Sequence, residues 1–206
     1  MPWRTYRGER LVLLLVVLAA LALYPANSQD STRFALTESL VLDGSLHIDR
    51  WLEEGMDYAA YGGHYYSDKS PGVSLAAVPP FALLRATGAV GPDEAARGVW
   101  TIPEVAWSLR VIAVGALFLA AVFALGRLAE GLAAGTGAAV SVVFALGTLT
   151  LPLAVTSFGH VGAGALAFGA FLLAWGGVER GRSPTIFAAA GLAAGLAALY
   201  EYQAPP

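Results

Sequence analysis

Residues 105–126 read VAWSLRVIAVGALFLAAVFALG, and Arg110 is their only charge. At 1.5 Å per helical residue such a run is about 33 Å long, enough to cross the hydrocarbon core of a bilayer. Four more apolar runs accompany it, at 11–23, 132–154, 160–178 and 184–200. The whole chain agrees with them. Of 206 residues 57% are hydrophobic and 13% charged, where a soluble domain carries roughly 25% charged residues. Mean hydropathy is +0.62. Glycine is abundant, at 24 residues, as where helices pack closely in lipid. The expected fold is all-α: a polytopic transmembrane helical bundle of about five spans plus a partial or re-entrant helix, forming one membrane domain over 1–206. Cysteine is absent, which excludes disulfides, thiolate metal sites and cysteine nucleophiles. A net charge of −3 gives no reason to expect a nucleic-acid partner.

Arg4, Arg7 and Arg10 precede the run Leu11–Leu23. A signal peptide begins the same way, but no small-x-small cleavage site is convincing and further apolar segments follow. The run is read as the first membrane helix, with the arginines in the cytoplasm. Residues 26–69 form the first external loop. Eight acids there (Asp30, Glu38, Asp43, Asp49, Glu53, Glu54, Asp57, Asp68) outnumber Arg33, Arg50 and Lys69. Within it Ser31–Leu42 reads as an amphipathic helix, with Phe34, Ala35, Val41 and Leu42 on the membrane surface.

Residues 71–89 open with Ser70-Pro71-Gly72, are interrupted by Pro79-Pro80 and carry Arg85. Prolines remove helical donors, and the segment barely reaches spanning length. A partial helix on the outer side is the favoured reading. The junctions at Gly126-Arg127 and Glu179-Arg180-Gly181-Arg182 are then cytoplasmic, and Thr156-Ser157-Phe158-Gly159 is external. If the segment crosses, these faces exchange. The chain ends at Gln203-Ala204-Pro205-Pro206, straight after an apolar helix. It reads as the N-terminal part of a longer protein or a truncated reading frame, without repeats or a soluble second domain.

Few polar residues remain to carry chemistry. Asp30 lies at the membrane–water boundary, either as the N-cap of a helix starting at Ser31 or Thr32 or as a partly desolvated general base. Lys69 is the only lysine beside eleven arginines. Its ammonium, on a turn stiffened by Pro71, suits a phosphate or an interfacial snorkelling role. Arg110, just inside an apolar helix, is either functional or snorkelling. His160 opens a span, and Glu201 ends one between Tyr200 and Tyr202. His47 and His64 have no partner at metal-ligand spacing, so no zinc site is expected. No Walker, Rossmann or Gly-x-Ser-x-Gly pattern occurs. On the favoured topology Asp30, Lys69, Arg110, His160 and Glu201 share one outer face. That set suits an anionic lipid-linked substrate: a base for an acceptor hydroxyl, cations for a leaving phosphate, and apolar helices for the lipid tail.

Tyr65-Tyr66-Ser67-Asp68-Lys69-Ser70-Pro71-Gly72 resembles the Tyr-x-Asp-Lys-x-Pro motif of bacterial membrane glycosyltransferases of the C-type superfamily, related to the protein O-mannosyltransferases. Asp30 resembles that superfamily's catalytic acid in the first external loop. Arg110 resembles the arginine of the helix after the Lys-x-Pro segment. Ser157-Phe158-Gly159-His160 and Leu199-Tyr200-Glu201-Tyr202 are similar to further motifs of an actinobacterial-type branch. The likeness covers about half of a typical member. Many relatives have Lys-Pro-Pro where this chain has Lys69-Ser70-Pro71.

The resemblance implies inverting transfer of a sugar from a polyprenyl-phosphate donor to an extracytoplasmic glycan, lipid or protein acceptor at the cell membrane. Asp30 would be the catalytic base, Lys69 and Arg110 would bind phosphate, and Asp68, His160 and Glu201 would complete the substrate site. No cofactor is fixed, and a divalent metal is compatible. Two other classes stay open. A transporter or flippase subunit would favour paired broken helices in an inverted repeat, of which only one broken segment is visible. A non-catalytic scaffold would not need an acidic first loop with a sole lysine.

Overall fold

The computed structural model describes residues 3–22, 27–179, 181 and 184–202. Leu23, Arg180, Arg182 and the terminal Gln203-Ala204-Pro205-Pro206, all used in the topology reading, lie outside the described residues. The fold is all-α. Helix α1 spans Glu9–Ala20, α2 Ser28–Glu38 and α3 Gly72–Ala86. Between α2 and α3 a hairpin pairs β1 (Ala59–Tyr61) with β2 (His64–Tyr66). The short α4 (Pro92–Ala95) leads to α5 (Pro103–Arg110), which runs through a wide π turn into α6 (Ala116–Leu132). Helices α7 (Gly137–Leu146), α8 (Thr150–Ala154), α9 (Gly159–Glu179) and α10 (Pro184–Tyr200) follow.

Among the described residues, two helices are long and apolar enough to cross a membrane, the 30-residue Pro103–Leu132 and the 21-residue Gly159–Glu179. Helix α10 has 17 residues and α1 has 12. The expected span 132–154 is not one helix. It divides at 147–149 into α7 and α8. Pro152 explains the break: its ring conflicts with the carbonyl four residues back, at Thr148. The Thr148 hydroxyl instead bonds to the Phe144 carbonyl and to the Thr150 hydroxyl. Helix α3 runs unbroken through Pro79-Pro80 for 15 residues, about 22 Å.

Polar contacts gather at the two ends of α1. At its start, Arg127 Nε donates to Glu9 Oε1 at 2.7 Å, and the Tyr6 and Ser141 hydroxyls lie 3.0 Å apart. At its end, Arg110 donates to the carbonyls of Ala20 and Ala22, and to that of Ala154 at the end of α8. These ties set α5–α6 antiparallel to α1 and return the α7–α8 pair to the Arg110 end. Leu11, Leu14, Leu15 and Leu18 of α1 are exposed, as are Phe171 of α9 and Leu192 of α10. Apolar surface on this scale marks contact with something other than water.

Helix α2 is not a surface helix. Phe34 and Ala35 are buried in the core, and Val41 and Leu42 pack against it. The Thr37 hydroxyl donates to the carbonyls of Arg33 and of Ser74 in α3, so α3 covers the apolar side that was expected to meet lipid.

Candidate functional site

The site starts at the first turn of α2. Its N-cap is Asn27 rather than Asp30. The Asn27 side chain accepts the N–H groups of Gln29 and Asp30, and Asp30 Oδ2 accepts the Asn27 N–H at 3.2 Å, a reciprocal capping box. The other oxygen, Oδ1, accepts the Ser157 N–H at 2.8 Å from the turn before α9. Asp30 is thus fixed at both oxygens and buried. Burial pushes its pKa up, and the N–H groups of Ser157 and Asn27 and the charge of Arg33 pull against that rise.

Arg33 lies one turn on, where residues three apart share a helix face. It is 3% exposed. One terminal nitrogen donates to the backbone and side-chain oxygens of Gln29, the guanidinium sits 5.9 Å from the Phe158 ring centre, and Nε has no partner. Burial lowers its pKa, while the fields of Asp30, Glu201, Asp68 and Asp57 raise it. A guanidinium stays charged throughout, so Arg33 is a fixed, buried cation among four carboxylates.

Lys69 joins the same group through two of those acids, with Nζ 2.9 Å from Asp57 and 3.1 Å from Asp68. Partial burial works to lower its pKa, but the two aspartates outweigh it and the net shift is upward. His160 joins through another, with Nδ1 2.7 Å from Glu201. The Tyr202 N–H donates to the Ser70 hydroxyl at 2.9 Å, tying the end of α10 to the Asp-Lys-Ser-Pro turn. Tyr200 sets the place of Glu201. A Cβ at Gly72, Gly159 or Gly162 would come within 2.6, 2.0 or 2.3 Å of Tyr200. The bare glycines let its ring sink between α3 and α9, where its hydroxyl donates to the Ala113 carbonyl at 2.8 Å.

Asp30, Asp68 and Glu201 therefore share the surroundings of Arg33, with Lys69 and His160 one contact away. Arg110 stands apart in its bonding. Its terminal nitrogens serve three backbone carbonyls that end α1 and α8. A cavity of about 690 Å³ lies between α6, α7, α8 and α9, lined by Leu125, Phe144, Leu153, Val161 and Phe168, with His160 in its wall.

Sequence reading missed Arg33 and Asp57. The Asp30-x-x-Arg33 spacing is a usable signal for the first. Nothing local signals the second, which the β1–β2 hairpin brings to Lys69. Histidines 47 and 64 also lie together in space. The same hairpin brings His64 to Asp49 and its near neighbour His47, with one ligand atom from each of the three within 4.8 Å of the others. No family model, curated protein or solved structure matches this chain.

Proposed function

We propose that the chain is an integral-membrane glycosyltransferase that moves a sugar from a polyprenyl-phosphate donor to an acceptor hydroxyl outside the cytoplasm. The observation that carries the reading is the buried Asp30–Arg33 turn. A fixed carboxylate and a fixed cation stand one helical turn apart, and Glu201 and His160 lead from them to an apolar cavity. The motif around Lys69 supports the same reading.

The chemistry follows from these groups. The acceptor oxygen attacks the anomeric carbon as Asp30 takes its proton. The carbon–oxygen bond to phosphate breaks, its electron pair leaves with the phosphate, and the sugar inverts. Arg33 and Lys69 face the growing negative charge. Arg33 takes the phosphate role that the resemblance gave to Arg110, because three of the five Arg110 N–H groups already serve carbonyls. Asp57 and Asp68 orient Lys69, and Glu201 orients His160. The apolar cavity receives the first isoprene units.

The polar ties support a five-crossing arrangement of α1, α5–α6, α7–α8, α9 and α10. Arg127 and Glu9 then mark the cytoplasmic face, and Arg110, Asp30 and Glu201 the outer one. Helix α3 is assigned to the outer side as a partial helix on its proline pair and the arginine-bearing junctions.

A photoreactive polyprenyl phosphate tests the donor site. It should label residues lining the α6–α9 cavity, with unlabelled polyprenyl phosphate competing and a simple long-chain alcohol not. Labelling indifferent to the phosphate would return the chain to a scaffold role.

A further inference from the structure

We propose a divalent transition-metal site, made by His47, Asp49 and His64 on the external loop and separate from the Arg33 cluster. The inference does not rest on glycosyl transfer. The two imidazoles stack with ring centres 3.9 Å apart and planes 19° from parallel. His64 Nδ1 is 2.7 Å from Asp49 Oδ2. One ligand atom from each of the three residues lies within 4.8 Å of the others. Ligands on a tetrahedral zinc at about 2.0–2.1 Å stand roughly 3.4 Å apart, so the set must tighten and the stacked rings must turn to aim their in-plane nitrogen lone pairs at one ion.

The backbone beneath the trio is anchored. Ile48 and Trp51, flanking Asp49, are buried. The Ile48 N–H donates to the Tyr65 carbonyl at 2.8 Å, which locks segment 47–49 against strand β2. The second oxygen of Asp49 accepts the Tyr65 N–H, the kind of outer contact that orients a ligating carboxylate. The His47 N–H is held by the Ser45 hydroxyl.

Two imidazoles and one carboxylate suit Zn²⁺, Co²⁺, Ni²⁺ or Cu²⁺, whereas Ca²⁺ and Mg²⁺ call for oxygen ligands. Three protein ligands leave a fourth position for water. The metal would clip residue 49 to residue 64 and close the segment that carries Asp57, one of the two acids on Lys69.

Co²⁺ reports on such a site through its visible absorption. Untagged full chain in lipid nanodiscs should bind one Co²⁺ per chain, with Zn²⁺ displacing it. His47→Ala, Asp49→Asn and His64→Ala should each weaken binding at least about tenfold, and His160→Ala should leave it unchanged. A second measurement needs no variant. In isotope-labelled wild type, Zn²⁺ should shift the ring nitrogens of His47 and His64, with His160 as the internal reference. The proposal is overturned if cobalt binding does not saturate at one per chain, if it survives in the His47→Ala/His64→Ala double variant, or if zinc moves only the His160 nitrogens.

Discussion

The Ser157 N–H donates to Asp30 Oδ1 at 2.8 Å across 127 positions of sequence. That bond joins the first turn of α2 to the turn entering α9. It fixes one carboxylate lobe in a direction the capping box alone would leave free, and it couples that carboxylate to the helix pair that carries His160 and Glu201.

Arg33 and Arg110 should separate cleanly. Arg33→Met keeps the side-chain volume and removes the charge. It should weaken donor binding about tenfold or more, as expected for loss of a charge-assisted contact, and move the pH limb of Asp30 upward. Arg110→Met should instead lower the thermal midpoint, since it strands the carbonyls of Ala20, Ala22 and Ala154, while donor affinity in the folded fraction stays near wild type. Thermal unfolding in detergent and donor titration, run side by side, check both.

The glycine seat of Tyr200 gives a local contrast. Gly162→Ala puts a Cβ within 2.3 Å of the ring, whereas Gly164→Ala meets open space. The first should cost about 1–3 kcal/mol by overpacking. The second should be neutral or slightly stabilising, because alanine favours helix. Thermal midpoints of the two variants in one detergent decide it.

Glu38 should make stability fall with pH. Its carboxyl is buried, Oε1 accepts the Val99 N–H, and Oε2 has no partner. Burial pushes its pKa from 4.5 up to about 8, against the pull of the Val99 N–H and Arg50. A carboxyl raised on folding binds its proton more tightly in the native state. Its stabilisation is therefore complete below the unfolded value and is lost as pH rises through the folded one. Wild type should lose stability between pH 4.5 and about 8, with a slope of at most about 1.4 kcal/mol per unit. Glu38→Gln should flatten that slope and be the more stable protein at pH 8. Equal slopes in denaturant titrations across this range would remove Glu38 as the cause.

The apolar helices and the Asp68-Lys69 turn were legible in the sequence because both are local patterns. Hydropathy located α9 and α10 to within a few residues. It did not see that Pro152 splits α7 from α8, because the run 137–154 is apolar on both sides of the break. The core position of α2 was hidden for a related reason. Its Phe34 and Ala35 stripe fits lipid or a neighbouring helix equally, and only the Thr37–Ser74 contact selects α3. Asp57 and the His47–Asp49–His64 group depend on a hairpin whose strands have three residues each, too short to show a period.

The pH profile of turnover should carry the mark of Asp30. A base works deprotonated, and burial lifts this carboxyl above its ordinary value of 3.8. The acid limb of kcat/KM should lie above that value. Ser157→Pro removes the N–H and the hydroxyl that both oppose the rise and should move the limb further up. A limb unmoved by the substitution would show that the Ser157 contact does not tune the base.

The base role of Asp30 is tested most directly by sugar transfer from a radiolabelled polyprenyl-phosphate donor, comparing wild-type and Asp30→Asn membranes at matched expression. The amide keeps the shape, and its single oxygen can still accept the N–H of Ser157 or of Asn27 though not both, but it cannot take the acceptor's proton. Transfer should fall by about 10²–10⁴-fold with donor binding retained. An Asp30→Asn rate above about a tenth of wild type, or wild-type membranes that bind the donor and transfer nothing, would contradict the role and leave Asp30 as a helix-capping residue.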